Sequence, residues 1–141
     1  MARTQSNHRV SLEDYRTLAD FRYALRKFLN FSAEAAQGAG LTPRQHQVLL
    51  AIKGFPERDH ASIGELAERL QLRHHSTVGL VDRLEQRRLV KRTVAPEDRR
   101  KVWVSLTDKG EKLIGGLSAA HKRELIEFGP ELRKLLRRLG S

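Results

Sequence analysis

Residues 62–86 read SIGELAERLQLRHHSTVGLVDRLEQ, and this stretch decides the fold. Ser62 stands three residues before Glu65, the spacing of a capping box, in which each side chain satisfies a backbone N–H of the other. Behind that start, Ile63, Leu66, Ala67 and Leu70 fall on one helical stripe. Gln71-Leu72-Arg73 interrupts the pattern. A second helix is expected from Ser76 to about Gln86, with Thr77, Leu80, Val81 and Leu84 turned inward. Two short helices joined by a tight turn form a helix-turn-helix, whose second helix is the one that enters a DNA major groove. Its outward positions near the N-terminus are His75, Ser76 and Gly79, with Arg83 one turn on. Ser76 can exchange a hydrogen bond with a base or a phosphate. Gly79 lets the backbone approach closely, although it also reads as a weak helix former costing about 1 kcal/mol relative to Ala. Arg83 lies too far along for a base and suits a phosphate. Thr77 completes the set assigned to DNA on this helix.

Downstream, Leu89–Val94 and Val102–Leu106 are β-branched and alternating, and the segment 95–101 between them holds Pro and Asp. The expected element is a two-stranded hairpin with an arginine-rich tip. Residues 73–101 contain nine basic and four acidic residues, a balance of +5 against +10 for the whole chain. A solvated basic face is the ordinary explanation of such a cluster. Its coincidence with the helix-turn-helix pattern favours nucleic acid. Arg99 at the tip could enter a minor groove, where negative potential draws arginine.

Upstream, Leu41-Thr42-Pro43-Arg44-Gln45 is a helix start, with Thr42 as cap, Pro43 in the first turn and Gln45 closing a capping box. That helix runs to about Lys53, and Gly54, Pro56 and Asp59 mark a polar loop. A long helix is expected over about 12–36, where Leu12, Tyr15, Leu18, Ala19, Leu25, Phe28, Leu29 and Phe31 build a wide apolar face. At 1.5 Å per residue it would be roughly 37 Å long. It reads equally as a long core helix or as a helix shared with a second subunit. After Thr107-Asp108 a final helix runs towards Phe128, with Gly115-Gly116 as a place for a bend. Gly129-Pro130 breaks it, leaving a short helix over Glu131–Leu139.

The fold class expected is mainly α with a small β-hairpin wing, in a single domain of 141 residues. With no cysteine, disulfides, thiolate metal sites and cysteine chemistry are excluded. No apolar run is long enough to span a bilayer, and MARTQSNHRV lacks a signal-peptide core, so a cytoplasmic location is expected. The first ten residues read as a polar lead-in. The six histidines, His8, His46, His60, His74, His75 and His121, include no pair at i,i+3 or i,i+4, so no metal site is expected. No phosphate loop, H-E-x-x-H or nucleophile elbow is present, which argues against an enzyme, and no cofactor is expected. Two other classes compete. One is a basic architectural or RNA-binding protein. The other is a peripheral membrane protein using Leu132, Leu135, Leu136 and Leu139 with Lys134, Arg137 and Arg138; burial in a dimer explains that amphipathic stretch better.

Residues 41–110 resemble the winged helix-turn-helix core of the multiple-antibiotic-resistance regulator (MarR) family. The matching stretches are Leu41-Thr42, Ile63-Gly64-Glu65-Leu66-Ala67, Leu80-Val81-Asp82-Arg83-Leu84-Glu85, Leu89-Val90-Lys91-Arg92, Asp98-Arg99-Arg100 and Leu106-Thr107-Asp108-Lys109-Gly110. The resemblance implies helical dimerisation regions over 11–40 and 111–141 flanking the DNA-binding lobe over 41–110. It implies a homodimer on a pseudo-palindromic operator in double-stranded DNA, usually repressing and released by a small aromatic effector, with no membrane partner. Asp82 would support the wing through an ion pair with Arg100, Arg99 would sit over the minor groove, and both arginines are assigned to DNA binding. A ligand pocket is implied between the dimer helices and the DNA-binding lobe, with Tyr15, Phe28, His46 and Trp103 as candidate lining. Arg73-His74-His75 departs from the Ser or Asp cap usual at the recognition helix, and the absence of cysteine excludes the oxidant-sensing branch.

Overall fold

The computed structural model describes residues 9–140. The polar lead-in, His8 included, lies outside the described residues except for Arg9 and Val10. The elements are α1 (Leu12–Gly38), α2 (Pro43–Lys53), β1 (His60–Ala61), α3 (Ile63–Leu70), α4 (His74–Gln86), β2 (Val90–Ala95), β3 (Asp98–Leu106) and α5 (Asp108–Gly140). They divide into two compact units, residues 33–120 and the paired ends of α1 (up to Ser32) and α5 (from His121). Among the described residues, no helix is long and apolar enough to cross a membrane.

The larger unit is built on a core of fully buried Val48, Leu49 and Ile52 from α2, Leu66 from α3, Val81 and Leu84 from α4, and Val90 and Val104 from the sheet. Both expected capping boxes are present: Thr42 and Gln45 start α2, and Ser62 and Glu65 start α3. The three-stranded antiparallel sheet has the order β1-β3-β2. β1 is a third strand where the sequence suggested only loop. It is two residues long and pairs His60 with Ser105 and Ala61 with Val104, too short for alternation to reveal.

Gly110 explains the Leu-Thr-x-x-Gly stretch. A Cβ at Gly110 would lie 2.1 Å from the Leu89 carbonyl oxygen. That carbonyl accepts from the Thr107 N–H at 3.1 Å, and the Thr107 hydroxyl donates to the Arg88 carbonyl at 2.6 Å. The first turn of α5 is thus pressed onto the end of the α4–β2 connection, with no room for a side chain.

Three boundaries differ from expectation. The α4 helix starts at His74, two residues early, because Arg73 takes the extended N-cap conformation although its side chain makes no capping bond. The hairpin turn is only Pro96-Glu97. The α5 helix runs unbroken through Pro130. Proline disfavours a helical predecessor mainly through clashes with its Cβ and N–H, and Gly129 has no Cβ. Ile126, whose carbonyl loses a donor to Pro130, is exposed, so water can replace the bond.

In the smaller unit Phe28 stacks on Phe128 at 6.2 Å and meets His121 edge-on at 5.9 Å. His121 Nε2 lies 2.8 Å from the Ser32 hydroxyl. Thr17, Ala24 and Leu135 are buried. Around them Leu12, Tyr15, Leu18, Tyr23, Leu25 and Leu29 of α1, with Leu125, Ile126, Leu136 and Leu139 of α5, stay exposed.

Candidate nucleic-acid interface

The α4 helix buries Thr77, Leu80, Val81 and Leu84 and turns the rest outward. Helical periodicity sets His75, Gly79 and Gln86 along the line opposite the buried stripe, with Asp82 displaced from it towards Glu85. Gly79 has nothing within 4 Å of where its Cβ would be. Ser76 and Arg83 flank this line on the α2 side. There they line, with Thr42, Pro43, Arg44, His75, Gly79 and Leu80, a groove of about 660 Å³. The groove is walled by the start of α2 and carries Arg44 and Arg83, so it presents two guanidiniums to an anion. Arg44 is a member of the site that the sequence reading misses; its place immediately after the N1 proline of α2 is the available signal.

Thr77 does not belong to this surface. It is fully buried and its hydroxyl donates to the Arg73 carbonyl at 3.0 Å, so it is spent inside the helix rather than offered to DNA.

The other flank of α4 carries Asp82 and Glu85, two carboxylates on a face that should attract phosphate. Both are held by Arg92 of β2, through Asp82 at 2.6 Å and Glu85 at 2.7 Å. This corrects the expected Asp82–Arg100 pair. Arg100 instead faces Asp98, at 3.4 Å, and its side chain is 93% exposed. The reason lies in strand parity. Val90 is buried, and Arg92 two residues on shares its helix-facing side, next to α4. Arg100 sits at the far end of the hairpin.

The wing displays its cations by a break in register. Ala95 pairs with Asp98 but Val94 pairs with Val102, so Arg99, Arg100 and Lys101 bulge from β3 without partners on β2. All three are exposed. The basic triplet is therefore on a strand bulge beside a two-residue turn, not in a loop-like tip.

Arg58, in the loop after α2, forks onto both oxygens of Glu65. Burial pushes the Glu65 carboxyl up, but bonds from Arg58 and Ser62 outweigh it and hold the group below the usual carboxylate range. Glu111 at 2.8 Å raises Lys53 above the usual lysine range.

The four candidate pocket residues fall two in each unit. Tyr15 is 62% exposed and Phe28 lies in the aromatic cluster of the smaller unit. His46 is buried in α2, and Trp103 on β3 packs edge-on against His60 at 4.7 Å. None of them lines the groove beside α4. Among the described residues no group of three His, Cys, Asp or Glu is placed to hold a metal ion.

This arrangement, a helix-turn-helix with a basic β-hairpin beside its second helix, agrees with comparison against known proteins. A model of the MarR family matches residues 39–101. The MarR family protein from Bacillus stearothermophilus has a similar structure, with a TM-score of 0.69 and 25% identity over 90% of this chain and 98% of that one. The chain belongs to the MarR family. It is also similar to the HTH-type transcriptional repressor MdtR of Bacillus subtilis, 34% identical over 65% of this chain and 60% of MdtR. A probable transcriptional regulator from Pseudomonas aeruginosa is 30% identical, with a TM-score of 0.59, over 82% of this chain and 92% of that one. The matched stretch thus spans about three-fifths of MdtR. For a MarR-family chain the α3–α4 pair is the helix-turn-helix and the β2–β3 hairpin is the wing.

Proposed function

We propose that this chain is a transcriptional repressor that binds a pseudo-palindromic operator in double-stranded DNA as a homodimer and responds to a small aromatic ligand. The observation that carries this reading is the joint display by α4 and the wing. One exposed helix line holds an open glycine, Gly79, its acidic flank is neutralised by Arg92 of the wing, and the same wing displays a bulge of three consecutive cations. Such a surface suits a helix in the major groove with arginines at phosphates or in the flanking minor groove. The name of MdtR, an HTH-type transcriptional repressor, supports the direction of regulation. Acting on the chromosome, the protein would work in the cytoplasm.

The homodimer rests on the apolar residues left exposed on α1 and α5 in the smaller unit, more than scattered surface residues explain. Ligand response rests on a second groove of about 480 Å³ at the end of α1 and start of α2, lined by Ala33, Gln37, Gly40, Leu41, Thr42 and Pro43. Thr42 and Pro43 line both this groove and the one beside α4, so a molecule seated in one bears on a wall of the other.

Selection from a random-sequence duplex pool, followed by footprinting, tests the reading. The expected product is one inverted repeat with half-sites roughly one helical turn apart. Retention of duplexes with no common sequence would indicate an architectural protein instead.

A further inference from the structure

Cations and aromatic rings alternate from the helix-turn-helix to the wing. Arg69 at the end of α3 lies 5.4 Å from the ring centre of Phe55, and Arg58 lies 4.4 Å from the same ring. Arg58 is also 4.9 Å from the Trp103 ring, and Lys101 of the basic bulge is 4.7 Å from Trp103. The middle rung is Arg58. Its faces meet aromatic rings while its edge forks onto Glu65, which is itself fixed by the α3 capping box. A single guanidinium therefore joins the first turn of α3 to β3, two residues from the bulge. The backbone connection there is slight, because β1 gives β3 only two paired residues.

We propose that Arg58 is the positioning residue of the wing: by its fork on Glu65 and its stacking on Phe55 and Trp103 it sets where Arg99, Arg100 and Lys101 stand relative to the helix-turn-helix. This rests on the DNA-binding reading above. Arg58 itself need not touch DNA. Its side chain is 27% exposed and already bonded to a carboxylate, whereas the neighbouring bulge residues are exposed. A planar, forked cation is required, since an ammonium can neither stack on two rings nor bond two oxygens in parallel. With Arg92 fastening β2 to α4, the wing is held at two points by two arginines, each committed to carboxylates of the helix-turn-helix.

Trp103 is the single tryptophan of the chain, so its emission reports the wing directly. The test compares wild type, Arg58→Lys and Glu65→Gln. Gln keeps the α3 capping box but removes the charge that holds the fork. Both variants should show red-shifted Trp103 emission with stronger acrylamide quenching. They should bind the selected operator duplex about tenfold more weakly, a loss of roughly 1.4 kcal/mol, with an unchanged slope of log affinity against log salt. Emission and affinity like wild type in Arg58→Lys would overturn the proposal. So would a salt slope made shallower with emission unchanged, which would make Arg58 a phosphate contact. Should Arg58→Lys fail to fold, Glu65→Gln decides by the same readouts. Should wild type bind no duplex, the DNA reading fails, and the emission shift alone supports or overturns the lock.

Discussion

Arg92 of β2 donates to Asp82 of α4 at 2.6 Å, and its other terminal nitrogen donates to Glu85 at 2.7 Å. A cation on the wing thereby cancels the two carboxylates that α4 carries on the flank nearest to it. The pair is half-exposed, with side-chain exposures of 25% and 51% for Arg92 and Asp82, so its contribution to folding is at most about 1 kcal/mol. Its consequence for binding is larger, because like charge beside phosphate is repulsive.

Arg92→Ala should therefore melt close to wild type but bind operator at least about tenfold more weakly, roughly 1.4 kcal/mol. Asp82→Ala leaves Arg92 on Glu85 and should change affinity by less than about threefold, well under that 1.4 kcal/mol. The Arg92→Ala and Asp82→Ala effects should be strongly non-additive. Those of Arg100→Ala and Asp82→Ala, residues that do not meet, should add within about 0.5 kcal/mol. Anisotropy titrations of the singles and doubles separate these cases. Coupling between Asp82 and Arg100 but not Arg92 would refute the assignment.

Gly79 offers a test in which stability and function move in opposite directions. Beyond its chain neighbours and the backbone of its own helix turn, no protein atom lies within 4 Å of its missing Cβ. A glycine inside a helix costs about 0.5–1 kcal/mol relative to alanine, so Gly79→Ala should raise the melting temperature by a few degrees. If the space is there for a base edge, the same change should weaken operator binding. A variant that is both more stable and binds as tightly as wild type would make Gly79 a neutral occupant of the helix surface. Gly110→Ala makes the contrast, since its Cβ meets the Leu89 carbonyl and the fold should lose stability.

Much of this surface is legible in the residues. Both capping boxes and the inward stripe of α4 follow from local chemistry that needs no tertiary context, whereas the Leu-Thr-x-x-Gly stretch is legible only through the family resemblance, because its glycine answers a tertiary contact with the Leu89 carbonyl. What is not legible depends on pairing. The Ala95–Asp98 turn and the bulge behind it are settled by cross-strand register, which a run of three basic residues does not encode. The Arg92 partners can be suspected from Val90, since residues two apart share a strand face. β1 is too short to declare itself. At Pro130 the local rule that proline ends a helix gives way to the glycine before it, and α5 continues.

Acid should expose the Glu65 contribution. Its carboxyl is held below the usual carboxylate range by Arg58 and Ser62 against the effect of burial. A depressed folded value means that the stabilisation is present above the unfolded value, about 4.3, and is lost as pH falls through the folded value. The stability difference between wild type and Glu65→Gln should be constant from pH 7 to about 5 and close below about 4. Urea midpoints across that range measure it. A difference that stays level down to the acid limit of folding would assign the effect to packing.

Salt distinguishes phosphate binding from other uses of the basic surface. If Arg44, Arg83 and the 99–101 bulge from two subunits neutralise roughly six to ten phosphates, raising salt from 50 to 200 mM should weaken binding on the order of a thousandfold or more. Arg99→Ala should lower the slope of log affinity against log salt by about one for each phosphate that is no longer neutralised. A flat response would exclude the electrostatic footprint on which the DNA reading depends.

The dimer is best tested where a charge cannot disturb the monomer. Ile126 of α5 is 65% exposed, so Ile126→Asp removes little buried surface from the folded chain and should leave its melting curve near that of the monomer. If the exposed face of α1 and α5 is covered by a second copy, the same aspartate is buried unpaired in an apolar interface, which costs several kcal/mol. Sedimentation should then show a monomer at concentrations where wild type is dimeric. Operator affinity should fall with it, since a monomer engages one half-site only. Leu50→Asp on α2 is the control. Leu50 is 46% exposed in the other unit, so its charge should leave the association state unchanged. Dissociation by Leu50→Asp but not Ile126→Asp would move the interface to α2 and leave the apolar face of the helical unit without a role in assembly.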